Sequence, residues 1–560
     1  MARIRGDAAE AAVLDRARRL TSAHGIASDA DLGPLFETAG GGAEADDPAL
    51  VRLRQMYETG GWILLESAIA DIPTDLRWLF ESGAVTLEQL AAIHDATGAT
   101  TIADFASAID DDTLNRIPGV TADVETQITL ALPTLRRAVP RIPLGRAVSV
   151  AEPFLDHARS LPGVEWARPV GSLRRGSDFV GDIEILASGG DAASAIEELA
   201  GLPTVTRCLQ RSARRVTLLV EHTQVGVRFE PPGRSGATLL RLTGSLAHLD
   251  ALRLHASAVK GASLTSEGLR TSDGVLRSET EEDIYGALDL PPIPPEIRES
   301  GDEVARAAAG TLPRLVSRRD IRGDLHMHST WSDGRDSIEA MVRVCVELGY
   351  QYCAITDHSP SSAATRNLTL DGVKRQGEEI EEVRSRYPGI SILHGCEVDI
   401  LPDGRLDFPD RVLERFDIVL ASLHDRAGQA PDRLMKRYAG AMKHPLVSVI
   451  THPTNRVVPT RKGYELDYDE LFGLAVETRT IVEVDGSPNH LDLDGPLARR
   501  AAAAGAMLVI DSDCHRAEML ERQMGLGIAT ARRGWLEPRH VVNTRPLEDV
   551  RTVVRAKRSR

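Results

Sequence analysis

The chain has 560 residues, 42% of them apolar, 26% charged and 4% aromatic, with a formal net charge of −16. This length predicts about three or four domains, and the apolar content with ordinary Gly and Pro usage excludes a disordered or collagen-like chain. No apolar run reaches transmembrane length, so no membrane partner is expected. The first residues mix acids and bases unlike a secretory leader. The five cysteines lack paired spacing, which fits a reducing compartment. A cytoplasmic location is therefore expected.

In chain order, residues 1–47 read as an acidic helix and the loop GGGAEADD, and residues 48–140 as helices joined by short turns. Within the latter, Ile117-Pro-Gly-Val-Thr-Ala-Asp-Val-Glu-Thr-Gln-Ile128 has the outline of half a helix-hairpin-helix. A phosphate-gripping version needs Gly-rich backbone N–H groups, but Thr121 stands at the second Gly position and Asp123 adds negative charge. A packing hairpin is the expected role. Residues 1–140 hold 11 Lys+Arg against 22 Asp+Glu, which also argues against phosphate binding there. Residues 141–289 switch to a mixed α/β pattern, with strands expected at Val180–Ala187 and Arg215–Val220. The segment 290–320 opens on Leu290-Pro-Pro-Ile-Pro-Pro295 and reads as a linker. From 321 to 560, short apolar strands alternate with helices, the pattern of a parallel α/β unit or barrel.

Seven strand-like runs in this last region mostly end in metal-ligand residue types. They are IRGDLHMH (His326, His328), YCAITDH (His358), SILHGCEVDI (Glu397), IVLASLH (His424), SVITH (His452), TIVEVDG (Glu483, Asp485) and MLVIDSDCH (Asp513, His515), with Asp333 in the loop after the first. In a parallel barrel the C-terminal strand ends share one face, so residues spread over 190 positions would converge. Six His, two Asp and one Glu are too many donors for one tetrahedral ion. Nitrogen and oxygen donors without thiolates suit two or three Zn²⁺, Mn²⁺ or Fe²⁺ ions, and a carboxylate such as Glu397 can bridge two of them. Arg426, Arg456 and Arg516 follow ligands closely and are candidate phosphate grips. Cys396 and Cys514 adjoin ligands, but strand alternation points them to the opposite face, into packing.

On these residues, from about Arg322 to Leu547, the sequence resembles the polymerase and histidinol phosphatase (PHP) family of metal-dependent phosphoesterases. The resemblance implies a distorted (β/α)7 barrel with three metals and water activated by clustered cations as the nucleophile. His326, His328, Glu397 and Asp513 would hold the first metal; Glu397, His424 and His452 the second; Asp333, His358 and His515 the third. The catalytic set it implies is His326, His328, Glu397, His424 and Asp513.

The stretch Gly171-Ser-Leu-Arg-Arg-Gly-Ser-Asp-Phe-Val-Gly-Asp-Ile-Glu-Ile-Leu186 resembles the nucleotidyltransferase signature, Gly-Ser followed by Asp-x-Asp on a strand. With the C-terminal half, this identifies the bacterial family X DNA polymerases that carry a C-terminal PHP domain as the family resembled. Its members hold two Mg²⁺ ions on three carboxylates. Here the first two positions are Asp182 and Glu184, while the third is Gly226, which has no side chain to bind metal. The aromatic pair ahead of Thr243-Gly244-Ser245 is replaced by Arg241-Leu242. Gly171, Ser172 and Arg175 keep the phosphate-binding outline, and Mg²⁺ is expected only at whatever residual site survives. All six lysines lie at or after Lys260, so a Schiff-base lyase in the N-terminal domain is excluded.

The expected function is a metal-dependent phosphoesterase on a degenerate polymerase scaffold, acting on DNA 3′ ends as a 3′–5′ exonuclease or end-processing enzyme in repair. Three other readings stay open at this point. They are a phosphomonoesterase of the histidinol-phosphatase type acting on a small molecule, a residual polymerase on Asp182 and Glu184, and a non-catalytic DNA-end scaffold.

Overall fold

A computed structural model describes residues 8–23, 47–59, 74–101, 104–105, 108–109, 113–138, 141–220, 223–362, 367–424 and 429–558. Helix Ala8–Ala23 packs on helix Pro48–Thr59 through Ala17, Ala49 and Leu53. Of the loop expected over 40–47, only Asp47 lies within the described residues. Helices Thr74–Glu81, Leu87–Thr97 and Ala122–Ala138 enclose a small core that includes Leu76, Leu90, Ile93, Phe105 and Ile128. Thr86 and Gln89 form a capping box at the start of the second helix, and Gly98, at φ 68°, ends it in the left-handed region. In the hairpin, Ile117, Val120 and Val124 turn inward while Pro118, Gly119, Thr121 and Asp123 face solvent.

The middle region is built on a five-stranded sheet in the order Val164–Pro169, Ile183–Gly189, Thr223–Glu230, Arg215–Val220, Arg207–Arg211. Only the pair Ile183–Gly189 and Thr223–Glu230 is parallel. The strand expected at Val180–Ala187 is split in two. Phe179–Val180 pairs with Ile142–Pro143, and the chain re-enters the main sheet at Ile183 after Gly181-Asp182. The Pro-rich segment expected as a linker is folded instead. Leu290, Ile293 and Ile297 are buried in a core with Leu240, Leu252 and Tyr285, and helix Asp302–Ala308 adds Val304 and Ala307. Prolines prevent this segment from pairing as a strand, but its apolar residues recur every three or four positions and bury one side.

The C-terminal region is a seven-stranded all-parallel sheet in chain order: Gly323–Asp324, Tyr352–Ile355, Ser391–Asp399, Ile418–Ser422, Val449–Ile450, Ile481–Asp485 and Leu508–Asp511. Its two edges nearly close on each other. Met327 bridges Cys514, the Leu325 N–H donates to Asp511 at 2.8 Å, and the Ser512 N–H donates to Asp324 at 3.2 Å. Helices start where side-chain caps allow, at Ser337, Thr369, Asp467 and Asp494, each accepting from a first-turn N–H. Their apolar faces cover the outside of the barrel.

The middle and C-terminal regions share packing. Leu491 and Leu526 enter the core of the five-stranded sheet region. Gly145 lies so close to Pro488 that a Cβ there would come within 2.3 Å of it. Among the described residues no helix is long and apolar enough to cross a membrane.

Candidate metal centre

Each strand of a parallel barrel alternates its side chains between lumen and helix layer. In Ser391–Asp399 this sends Cys396 and Val398 into the hydrophobic core and leaves Glu397 and Asp399 on the lumen face. The same logic buries Cys514 beside Asp513, and all five cysteines are unpaired. Asp333 arrives from the loop after the first strand. Gly334 lets that turn press on His328-Ser329, since a Cβ at 334 would come within 2.6 Å of their backbone. His452 and Asp513 adopt φ of 29° and 48°, a region unfavourable to side-chain-bearing residues and common where a functional group must be aimed.

The structure brings all nine expected donors together at the C-terminal strand ends. His328, Asp333, His358 and His515 offer ligand atoms within 4.8 Å of one another, as do His326, His328 and Asp513, and His358, Glu397 and His424. His452 Nε2 lies 3.0 Å from Glu397 Oε1. Glu397 is thus central, with His326, His358, His424 and His452 all within 3.3 Å. The mouth is marked by the more exposed Asp333 (27%), His424 (23%) and His515 (33%), against 0% for His326, His328 and Glu397.

The donor set fits divalent cations because the ring tautomers are fixed from behind. His326 Nδ1 lies 2.6 Å from Glu483, His424 Nδ1 2.8 Å from Asp399, and His515 Nδ1 2.9 Å from the Asp513 carbonyl. Each acceptor holds a proton on Nδ1 and leaves the Nε2 lone pair facing the cluster, the usual arrangement behind a metal-bound imidazole. The Nε2 atoms of His326 and His328 face each other at 3.1 Å. Among the described residues, the Nδ1 atoms of His328 and His452 are buried without a hydrogen-bond partner. Multiple cation positions are consistent with these clusters.

Charge couples the groups strongly. Burial would raise Glu397, but the imidazoles of His358, His424 and His326 hold it well below the carboxylate range. Asp513 is likewise held down, against burial, by His326 and His328. Burial would lower His326 and His424, yet Glu483 and Asp513 raise the first and Glu397 and Asp399 the second. His328 is pushed down to about 3 by burial and by neighbouring His515 and His358.

The orienting residues are not among the nine donors expected from the sequence. Glu483 was visible as a strand-end acid, and it also accepts from the His452 N–H at 2.7 Å. Asp399 is two residues from Glu397, hence on the same strand face. His490 stacks on His452 with ring centroids 5.0 Å apart and planes 18° apart; burial and the adjacent His452 push it down to about 4. A lone His in a loop carries no sequence signal.

The candidate phosphate arginines diverge. Arg426 lies outside the described residues. Arg516 is exposed, with Glu518 at 3.6 Å. Arg456 does not face the centre as a free grip. Its guanidinium bonds Asp178 at 2.8 Å and the carbonyls of His490 and Leu491, because the loop from Ser487 and the middle region both need a donor there.

The nucleotidyltransferase-type residues line a separate cavity of about 530 Å³ that includes Gly171, Ser172, Arg175, Asp182, Glu184 and Arg215. Glu184 sits directly across from Gly226 on the parallel neighbour strand. The Glu184 carboxyl occupies the space over Gly226, so a Cβ there would come within 2.1 Å of it. The buried Arg215 binds Glu184 at 2.5 Å and Asp104, from the N-terminal helical region, at 2.7 Å, and Arg228 adds a bond to Asp104 at 2.9 Å. Arg175 bonds Glu299 at 2.9 Å and the Thr243 carbonyl at 2.8 Å. Arg174, its neighbour, pairs with buried Glu281 at 2.7 Å.

Barrel, donor cluster and nucleotidyltransferase-type cleft together define a PHP-type domain joined to a polymerase-type module. Comparison with known proteins agrees. Residues 238–299 match the family model described as DNA polymerase beta thumb, and residues 324–475 match the PHP domain. The protein described as DNA polymerase/3′-5′ exonuclease PolX from Bacillus subtilis (strain 168) is 34% identical over 503 residues, covering 89% of this chain and 88% of that one. A protein described as a probable phosphatase from Thermoanaerobacter sp. (strain X514) is 31% identical over 205 residues, covering 34% of this chain and 78% of the relative. Another so described, from Syntrophotalea carbinolica, is 27% identical over 239 residues, covering 41% and 94%. The chain belongs to the family X DNA polymerases that carry a C-terminal PHP domain.

Proposed function

We propose that the protein is a metal-dependent phosphoesterase that hydrolyses phosphodiesters at DNA 3′ ends, as a 3′–5′ exonuclease or end-processing enzyme in repair. The observation that carries this reading is the convergence of nine nitrogen and oxygen donors around Glu397 at one mouth. The name of the Bacillus subtilis relative, which spans nearly the same length, supports DNA as the substrate. Two or three Zn²⁺, Mn²⁺ or Fe²⁺ ions would be held by His326, His328, Asp333, His358, Glu397, His424, His452, Asp513 and His515. When bound, they supply Lewis acidity that activates water and neutralises phosphoryl oxygens. Glu483 and Asp399 orient His326 and His424. The exposed edge of His515, Asp333 and His424 is where a strand end would enter, with Arg516 beside it as the remaining described phosphate grip.

The polymerase chemistry of the scaffold is weak or lost on this reading. Gly226 offers no ligand, and Arg215 neutralises Glu184 from within the chain. A cation fixed by a covalent stem competes with Mg²⁺ for the same carboxylate. A second reading, a small-molecule phosphomonoesterase, is favoured by the exposed Thr121 and Asp123 in the hairpin that would otherwise grip DNA, and by the similarity to proteins described as phosphatases. Purified protein with Mn²⁺ separates the readings when given 3′-labelled single-stranded DNA, a gapped duplex with nucleotides, and histidinol phosphate in parallel. Cleavage of the labelled DNA is the expected result. Cleavage of histidinol phosphate with intact DNA would establish the second reading instead.

A further inference from the structure

His490 belongs to none of the donor groups, yet it stands at their edge. Its Nδ1 lies 2.9 Å from the Arg456 carbonyl oxygen. A carbonyl only accepts, so Nδ1 carries the proton and the Nε2 lone pair is left over. Arg456 Nε in turn donates to the His490 carbonyl at 2.9 Å, and the Arg456 guanidinium is anchored on Asp178 of the middle region. The ring is therefore held from two sides and lies flat on His452, whose own Nε2 reaches Glu397 at 3.0 Å. His490 is half-buried, and among the described residues nothing hydrogen-bonds its Nε2.

An oriented, unpaired lone pair beside the centre repels phosphoryl oxygens, which only accept, and selects a group that donates. At a DNA 3′ end the donor nearest the scissile phosphate is the terminal sugar hydroxyl. We infer that His490 is a specificity-determining residue whose Nε2 accepts a hydrogen bond from the 3′-hydroxyl of the nucleotide being removed. This rests on the exonuclease reading above, and it gives that reading a preference for hydroxyl-terminated ends.

The test is hydrolysis by the full-length protein with Mn²⁺ of three labelled oligonucleotides, identical except for a 3′-hydroxyl, 3′-deoxy or 3′-phosphate terminus. Wild type is expected to cleave the hydroxyl end about tenfold faster than the 3′-deoxy end, the scale of one neutral hydrogen bond. His490→Ala should bring the two rates together, by slowing the hydroxyl end to the 3′-deoxy rate. His490→Gln, which still presents an acceptor, should keep part of the preference. Equal wild-type rates, a preference that persists in His490→Ala, or an Ala variant slowed equally on all three ends would each overturn the inference. No cleavage of any DNA by wild type would instead sink the exonuclease reading, and the inference with it.

Discussion

The barrel mouth gathers carboxylates at the C-terminal ends of parallel strands and the nucleotidyltransferase-type cleft gathers Glu184 from the start of a strand and Asp104 from the helical region, but they balance that charge differently. In the barrel, Glu397 and Asp513 are surrounded by imidazoles with lone pairs turned inward, a set suited to exchangeable cations. In the cleft, Glu184 and Asp104 are balanced by Arg215 and Arg228, cations that cannot leave. Isolated buried charge is costly in either place. The difference lies in the counter-charge: the cleft's acids are met by guanidinium groups fixed in the chain, whereas the barrel's donors offer their lone pairs to cations.

Variants at the two places should break this contrast in opposite ways. The largest effect is expected for His326→Ala, which takes a donor from the most buried part of the cluster. DNA hydrolysis should fall by more than about a hundredfold, beyond the range seen for orienting residues alone. Glu483→Gln leaves the donors in place but weakens the hold on His326 Nδ1. About 10- to 100-fold weaker Mn²⁺ activation is expected, read from metal titrations of the hydrolysis rate.

On the cleft side, Arg215→Ala would take from Glu184 its guanidinium partner and leave Asp104 with Arg228 alone, and a loss of about 3 kcal/mol is expected from urea unfolding monitored in the N-terminal half. Gly226→Asp alone should not create primer extension, since its Cβ would collide with Glu184. The double variant Gly226→Asp with Glu184→Asp relieves that contact and is the better attempt at restoring it.

The smallest effect is one of pH. Burial would raise Asp104, but Arg215 and Arg228 hold it below its ordinary 3.8. A carboxyl depressed in the folded state contributes stability above its unfolded pKa and loses it as pH falls through the folded one. The contact of the N-terminal region with the five-stranded sheet should therefore hold at neutral pH and weaken in acid below about pH 4. Asp104→Asn should flatten that dependence in acid denaturation curves.

The barrel was legible because its information is periodic. Short apolar strands ended in His, Glu or Asp, and one rule about parallel strand ends placed residues from His326 to His515 on a single face. That Gly226 offers no side chain to a metal was equally plain. What surrounds its neighbour Glu184 was not. Arg215, the first residue of a strand expected from the sequence, reaches Glu184 and a helical residue 111 positions earlier, Asp104. Side-chain reach across regions leaves no pattern in the sequence. The same holds for Arg456, whose place after His452 suggested phosphate although its partners come from Asp178 and the His490 loop. The Pro-rich stretch misled for another reason. Composition suggested a linker, while the spacing of Leu290, Ile293 and Ile297 carried the packing.

The contrast between an exchangeable and a built-in counter-charge is tested most directly by one paired assay. Wild type, His326→Ala and Asp182→Ala are each given Mn²⁺ with 3′-labelled DNA and, separately, a gapped duplex with nucleotides. Hydrolysis should be lost in His326→Ala and unchanged in Asp182→Ala, and no protein should extend the primer. Hydrolysis surviving in His326→Ala, or extension that depends on Asp182, would contradict the account.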